Sequence, residues 1–205
     1  MLRLRQHAPL VANGGFLVLD ELLPKTTRQC LRDEAFECCE GALEQRREDH
    51  DISGFRTGNP ARWLRSTTGG PVQFEIYHCP VMADNISYLC GRQVKPTGGQ
   101  GTYSYYDRKG HFLGLHRDIN TCDATLITCL HRKHSANESG ALRLYYKGFA
   151  NSLVEIISDS NVPYLDIHLE QWQSILLLGG WVPHEVLPAA EDYERYTSVL
   201  CYEMI

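Results

Sequence analysis

Phe16-Leu17-Val18-Leu19-Asp20 is a short apolar run, and it predicts a strand. From Thr26 to Arg47 the period changes: Leu31, Ala35, Cys38, Ala42 and Gln45 recur at three- and four-residue steps. That spacing predicts a helix with a partly apolar stripe, packed across the outside of a sheet and capped by Thr26 or Thr27. Between Glu48 and Gly70 turn residues dominate, including Ser53-Gly54, Gly58-Asn59-Pro60 and Thr67-Thr68-Gly69-Gly70. Such a stretch, interleaved with Arg56, Arg62, Trp63 and Arg65, predicts a long loop, either a binding lid in which one of these arginines meets an anionic group or a solvated connection. Pro80 to Leu89 then reads as a short helix with proline in its first turn. From Val94 onward the texture is β. Candidate strands are Tyr103–Tyr106, Ala124–Leu130, Ala141–Tyr146, Val154–Ile157, Ile175–Leu178 and Thr197–Tyr202, separated by Gly, Asn and Asp turns.

This order of elements predicts a mainly β protein with supporting helices. The expected architecture is a double-stranded β-helix (jelly roll, cupin-like) core over residues 96–205, with residues 1–95 as helical support and loop, the whole forming one domain. The composition, 43% hydrophobic and 22% charged, suits a globular chain with a real core. The net charge of −5 argues against nucleic acid as a partner. No apolar run approaches the ~20 residues that a membrane-spanning helix needs, so no membrane partner is expected. Residues 1–7 lack the apolar core of a secretory signal, and the eight cysteines form no C-x-x-C pair. Those two features predict reduced, mostly buried thiols and a cytoplasmic location.

The chemistry concentrates in His116-Arg117-Asp118. On extended backbone, positions i and i+2 point to one side, about 7 Å apart, so an imidazole and a carboxylate can converge on one metal ion. His184, after the apolar run Ser174–Leu178, is the third candidate ligand. Two histidines and one carboxylate on one face leave open positions on an octahedral ion, as non-haem Fe(II) requires. Further on, Arg195 and Thr197 share a face if the segment is a strand, and an arginine fork matches a carboxylate. Two other features stay open. Cys129-x-His131-x-x-His134 is a zinc half-site or an exposed turn, with no second pair at ligand spacing. Arg143, between Leu142 and Leu144, faces either the cavity or water. No phosphate-loop, dinucleotide or nucleophile-elbow motif is present.

In order, these pieces resemble the Fe(II)/2-oxoglutarate-dependent dioxygenases, most closely their prolyl-hydroxylase-like branch. Tyr103-x-Tyr105, Gly110, His111-Phe112 and His116-x-Asp118 look like that branch's entry strand. Gly140-Ala141-Leu142-Arg143-Leu144 looks like its G-G-x-L-x-L strand, with Ala141 where a second glycine is usual. His184-Glu185-Val186-x-Pro188 and Arg195-x-Thr197 resemble its closing segment. The resemblance implies Fe(II) on His116, Asp118 and His184. It also implies 2-oxoglutarate gripped by Arg195, with Thr197 and Tyr103 or Tyr105 as helpers. The implied reaction is hydroxylation of an unactivated C–H bond, with succinate and carbon dioxide as co-products. The carboxylate at Asp118 implies hydroxylation, or desaturation by the same first step, and argues against halogenation, which the related halogenases perform with Ala or Gly at that place. The expected substrate is a small molecule, an amino acid or natural-product intermediate, with Arg143, Arg65 and Arg117 meeting an anionic group on it. A peptidyl or carrier-tethered substrate is a further option. The reading from another class is a cupin-like metal protein, an isomerase or binding module with no need for Arg195.

Overall fold

The computed structural model describes residues 7–56, 59–133 and 139–205. Its helices are α1 (Pro9–Ala12), α2 (Lys25–Cys39), α3 (Pro71–Tyr77), α4 (Pro80–Cys90) and α5 (Leu153–Ser158). Its strands are β1 (Phe16–Leu19), β2 (Leu43–Arg47), β3 (Arg62–Thr68), β4 (Val94–Pro96), β5 (Thr102–Tyr106) and β6 (Phe112–His116). They continue with β7 (Ala124–Lys133), β8 (Leu142–Leu144), β9 (Leu165–Ile167), β10 (Ser174–Leu177), β11 (His184–Val186) and β12 (Glu194–Met204).

All pairings are antiparallel, in the order β1-β10-β7-β12-β5-β3-β6-β11-β8-β9, with β2 added to β3 and β4 to β12. The sheet curls into the expected jelly roll, and β3 makes the corner. Arg62 and Trp63 of β3 pair with β6, whereas Arg65 to Thr68 pair with β5. One strand thus belongs to both faces. The long β12 occupies the middle, bordered by β7 on one side and by β5 and β4 on the other.

Helix α2 lies outside this sheet with Leu31 and Ala35 buried, as its stripe predicts. Its buried Glu34 accepts from the Val72 amide at 2.6 Å and the Gln73 amide at 3.0 Å, so a side chain of one helix closes the amino end of α3. Helix α4 begins at Pro80 as expected and ends at Gly91, whose φ of 67° is the left-handed turn that glycine adopts cheaply.

Four expectations need correction. Helix α2 stops at Cys39, just before Gly41, and residues 43–47 form β2 instead of continuing the helix. Strand pairing with β3 overrides the helix-forming tendency of Glu44-Gln45-Arg46-Arg47. The cap of α2 is Pro24, with no side-chain bond, so Thr26 and Thr27 sit inside its first turn. The supposed loop ends at Ala61, because Arg62–Thr68 is strand; β1, β2 and β3 show that the first 95 residues build sheet as well as support it. Finally, Val154–Ile157 is helical. Ser152 and Glu155 form a reciprocal capping box at its start, and Leu153 and Ile156 are its buried face.

The cysteine expectation also changes. Cys122 and Cys201 are joined as a disulfide with Cα atoms 5.1 Å apart. The turn before β7 folds Cys122 over β12, whose Cys201 pairs in register with Thr125. The other six cysteines are free. Among the described residues, no helix is long and apolar enough to cross a membrane.

Candidate metal centre and its cavity

His116 ends β6 and His184 begins β11, and the two are direct partners in the antiparallel ladder. Cross-strand partners lie close, which brings the ring centroids to 4.3 Å. Each ring is oriented by its own backbone: His116 Nδ1 lies 2.8 Å from the Gly114 carbonyl, and His184 Nδ1 lies 2.9 Å from the Val182 carbonyl. A carbonyl only accepts, so both Nδ1 atoms hold the proton and both Nε2 lone pairs are left free. Asp118 Oδ1 stands 3.5 Å from His116 Nε2 and 3.8 Å from His184 Nε2. The three ligand atoms lie within 4.8 Å of one another, and no other such group occurs among the described residues.

The carboxylate is held from behind. Its Oδ2 accepts from the Thr125 hydroxyl, and its backbone amide donates to the Gly179 carbonyl at 2.8 Å. A Cβ at Gly179 would overlap Oδ2, so only glycine lets the chain pass there. Arg56 ties the surrounding turn: it donates to the carbonyls of Asp118 (2.9 Å), Cys122 (2.6 Å) and Ile119, and pairs with Asp123 at 2.8 Å. Burial alone would push the Asp118 carboxyl up, but the two imidazoles and Thr125 outweigh it and hold it well below the usual carboxylate range. Burial, helped by repulsion from His116, pushes His184 down to about 4. Hence the trio offers one anion and neutral imidazole, a donor set suited to a divalent metal.

Behind the trio lies an enclosed cavity of about 110 Å³, lined by apolar Leu113, Ile127 and Leu142 and by Tyr106, Arg195 and Thr197. Arg195 is only 3% exposed, its Nε has no partner among the described residues, and its guanidinium lies 4.7 Å from the Tyr106 ring centroid. A buried guanidinium short of acceptors in a small cavity beside a metal-type cluster fits a carboxylate co-substrate such as 2-oxoglutarate. A second, open cavity of about 190 Å³ shares the wall of Leu113, His116 and Asp118 and continues to Pro60, Arg62, Ile119 and the disulfide.

Other candidates lie elsewhere. Tyr103 and Tyr105 face away from the cavity: their hydroxyls donate to Glu34 (2.6 Å) and to the Ala35 carbonyl (2.8 Å) on α2. Their neighbour Tyr106 lines the cavity instead, and burial raises its hydroxyl to about 12. Arg65 pairs with Asp107 at 2.6 Å. Arg143 grips Asp166 through two 2.7 Å bonds and stacks 3.9 Å from the Tyr164 ring centroid. Arg117 is fully buried and donates to the carbonyls of Trp181, Gly148 and Asn151. These three arginines serve the protein itself and are not available to a substrate anion. Cys129 is buried and His131 pairs with Glu194 at 3.5 Å, while His134 lies outside the described residues. Sequence reading missed Tyr106, Thr125 and Gly179. Strand alternation alone flags Tyr106 as facing opposite to Tyr105.

No protein-family model and no curated protein matches the chain. Solved structures do. A prolyl-4-hydroxylase from Pseudomonas putida is 16% identical, with a TM-score of 0.61 and 96% of each chain covered. AviO1 from Streptomyces viridochromogenes Tue57 is 16% identical, with a TM-score of 0.70 over 99% of this chain and 96% of that one. The epimerase SnoN, in complex with Fe3+, alpha ketoglutarate and nogalamycin RO, is 13% identical, with a TM-score of 0.68 over 93% of this chain and 79% of that one. At these identities the likeness establishes the fold.

Proposed function

We propose that this chain, which has the fold of the 2-oxoglutarate-dependent iron oxygenases, is itself an Fe(II)- and 2-oxoglutarate-dependent dioxygenase. Its reaction is hydroxylation of an unactivated C–H bond in a small molecule. The supporting observation is one cavity that holds both a two-histidine, one-carboxylate cluster and a buried guanidinium with an unpartnered nitrogen. His116, Asp118 and His184 would hold the metal, and Arg195 with Thr197 would hold the distal carboxylate of the keto acid. When bound, the two together supply the oxidising power for C–H cleavage from dioxygen, with release of succinate and carbon dioxide.

The chain's own residues do the rest. The Gly114 and Val182 carbonyls keep both imidazoles in the tautomer whose free nitrogen is Nε2. Thr125 occupies Asp118 Oδ2 and leaves Oδ1 for the metal. Leu113, Ile127 and Leu142 keep water from the co-substrate, which strengthens the Arg195–carboxylate attraction. The solved neighbours include both a hydroxylase and an epimerase, and a gain of one oxygen atom in the product mass separates those outcomes.

The test is anaerobic reconstitution with Fe(II), followed by 2-oxoglutarate and air. Wild type is expected to bind iron and release succinate, and His184→Ala is expected to lose the metal. Arg195→Ala should bind 2-oxoglutarate roughly tenfold to a hundredfold more weakly, the worth of a charge-assisted bond. Turnover by Arg195→Ala equal to the parent's would reject the co-substrate assignment.

A further inference from the structure

The described arginines fall into three groups. Arg28, Arg32, Arg46, Arg56, Arg65, Arg108, Arg132 and Arg143 have carboxylate partners. Arg47, Arg92 and Arg117 donate to main-chain carbonyls. Arg62 and Arg195 have neither kind of partner among the described residues, and both line the cavities around the metal-type cluster. Arg195 stands in the enclosed inner cavity. Arg62 stands in the open outer one, at the corner where β3 leaves β6.

The position of Arg62 follows from register. It is the β3 partner of Leu113 of β6, and both side chains contribute to the outer cavity, with His116 and Asp118 forming the wall shared with the inner one. The remaining surroundings are apolar or uncharged: Pro60, Ile119 and the Cys122–Cys201 pair. Asp118 is the carboxylate lining this cavity, and its oxygens are committed to the two imidazoles and Thr125. Arg62 is partly buried, and a guanidinium beside apolar walls, with no counter-ion among the described residues, is suited to receive an anion.

We propose that the outer cavity is the substrate site and that it takes a small molecule bearing a carboxylate on a short apolar frame. Arg62 anchors the carboxylate in a fork, and Leu113, Pro60 and Ile119 pack the frame beside the metal-type cluster. The proposal rests on the oxygenase reading for its meaning. Its binding test stands apart from that reading.

Hexanoate and hexanamide are matched in size and differ in charge. Each is titrated calorimetrically into the anaerobic protein, first alone and then saturated with Fe(II) and 2-oxoglutarate so that Arg195 is already engaged. Hexanoate is expected to bind roughly tenfold or more tightly than the amide. That preference should disappear in Arg62→Gln, survive in part in Arg62→Lys, and persist in Arg195→Gln. Arg62→Gln should keep the parent's 2-oxoglutarate affinity and circular dichroism melt. Equal binding of acid and amide, or a preference that survives Arg62→Gln, overturns the proposal. A loss of 2-oxoglutarate affinity in Arg62→Gln as large as in Arg195→Gln overturns it too, by assigning Arg62 to the co-substrate. Failure of the parent to bind 2-oxoglutarate would instead remove the oxygenase reading, while the Arg62-dependent acid preference of the metal-free protein would still decide the anchor.

Discussion

At Gly179 the backbone runs so near the Asp118 carboxylate that there is no room for a side chain. Gly179→Ala is therefore expected to swing the carboxylate away from the imidazoles and weaken Fe(II) binding by roughly tenfold to a hundredfold, the usual cost of disturbing a ligand's support. Gly99→Ala, where an added Cβ meets nothing within 4 Å, is the matched control and should bind iron like the parent. An unchanged Fe(II) titration for Gly179→Ala would remove Asp118 from the ligand set. At this scale the sequence shows chemistry better than direction. His116-x-Asp118, His184 and Arg195-x-Thr197 are legible because spacing along a strand puts side chains on one face, and the fold brings all five to one cavity. Tyr103 and Tyr105 mislead because alternation says which residues share a face but not which face is inside. Arg65, Arg117 and Arg143 mislead for another reason: a charge is visible in sequence, and the partner that occupies it is not.

Among the elements, α5 and β2 were exchanged in kind. Val154-Glu155-Ile156-Ile157 looks like a strand by content, yet Ser152 three positions before Glu155 fixes a helix start. Ser152→Ala should therefore cost about 1 kcal/mol, read as a lower denaturant midpoint with unchanged slope. Because α5 buries Leu153 and Ile156 against Leu115, next to His116, the same variant reports whether that packing matters for metal binding. A midpoint equal to the parent's would mean that the cap contributes nothing. The opposite exchange, helix-like residues 43–47 lying in a strand, was not legible. Its cause is β3, whose paired residues lie 15 to 23 positions away and supply hydrogen bonds that no local window contains.

For the molecule as a whole, the jelly roll was legible from the succession of short strands, and the covalent link across it was not. Cys122 and Cys201 are 79 residues apart, so nothing local relates them. A cross-link closing a loop of that length should stabilise by roughly 4–5 kcal/mol through the chain entropy it removes from the unfolded state. Reductant should lower the unfolding midpoint of the parent and leave Cys122→Ser/Cys201→Ser unmoved, while thiol titration of the parent, denatured without reductant, should find six free groups. Equal midpoints with and without reductant would contradict the link. The position of β12 has one more consequence. The strand at the centre of the sheet is the last of the twelve in sequence, so during synthesis β7 and β5 emerge without the neighbour that joins them. Until β12 leaves the ribosome those two edges stay open to wrong partners, and Arg195 and Thr197, which β12 carries, can line the cavity only after translation has passed them.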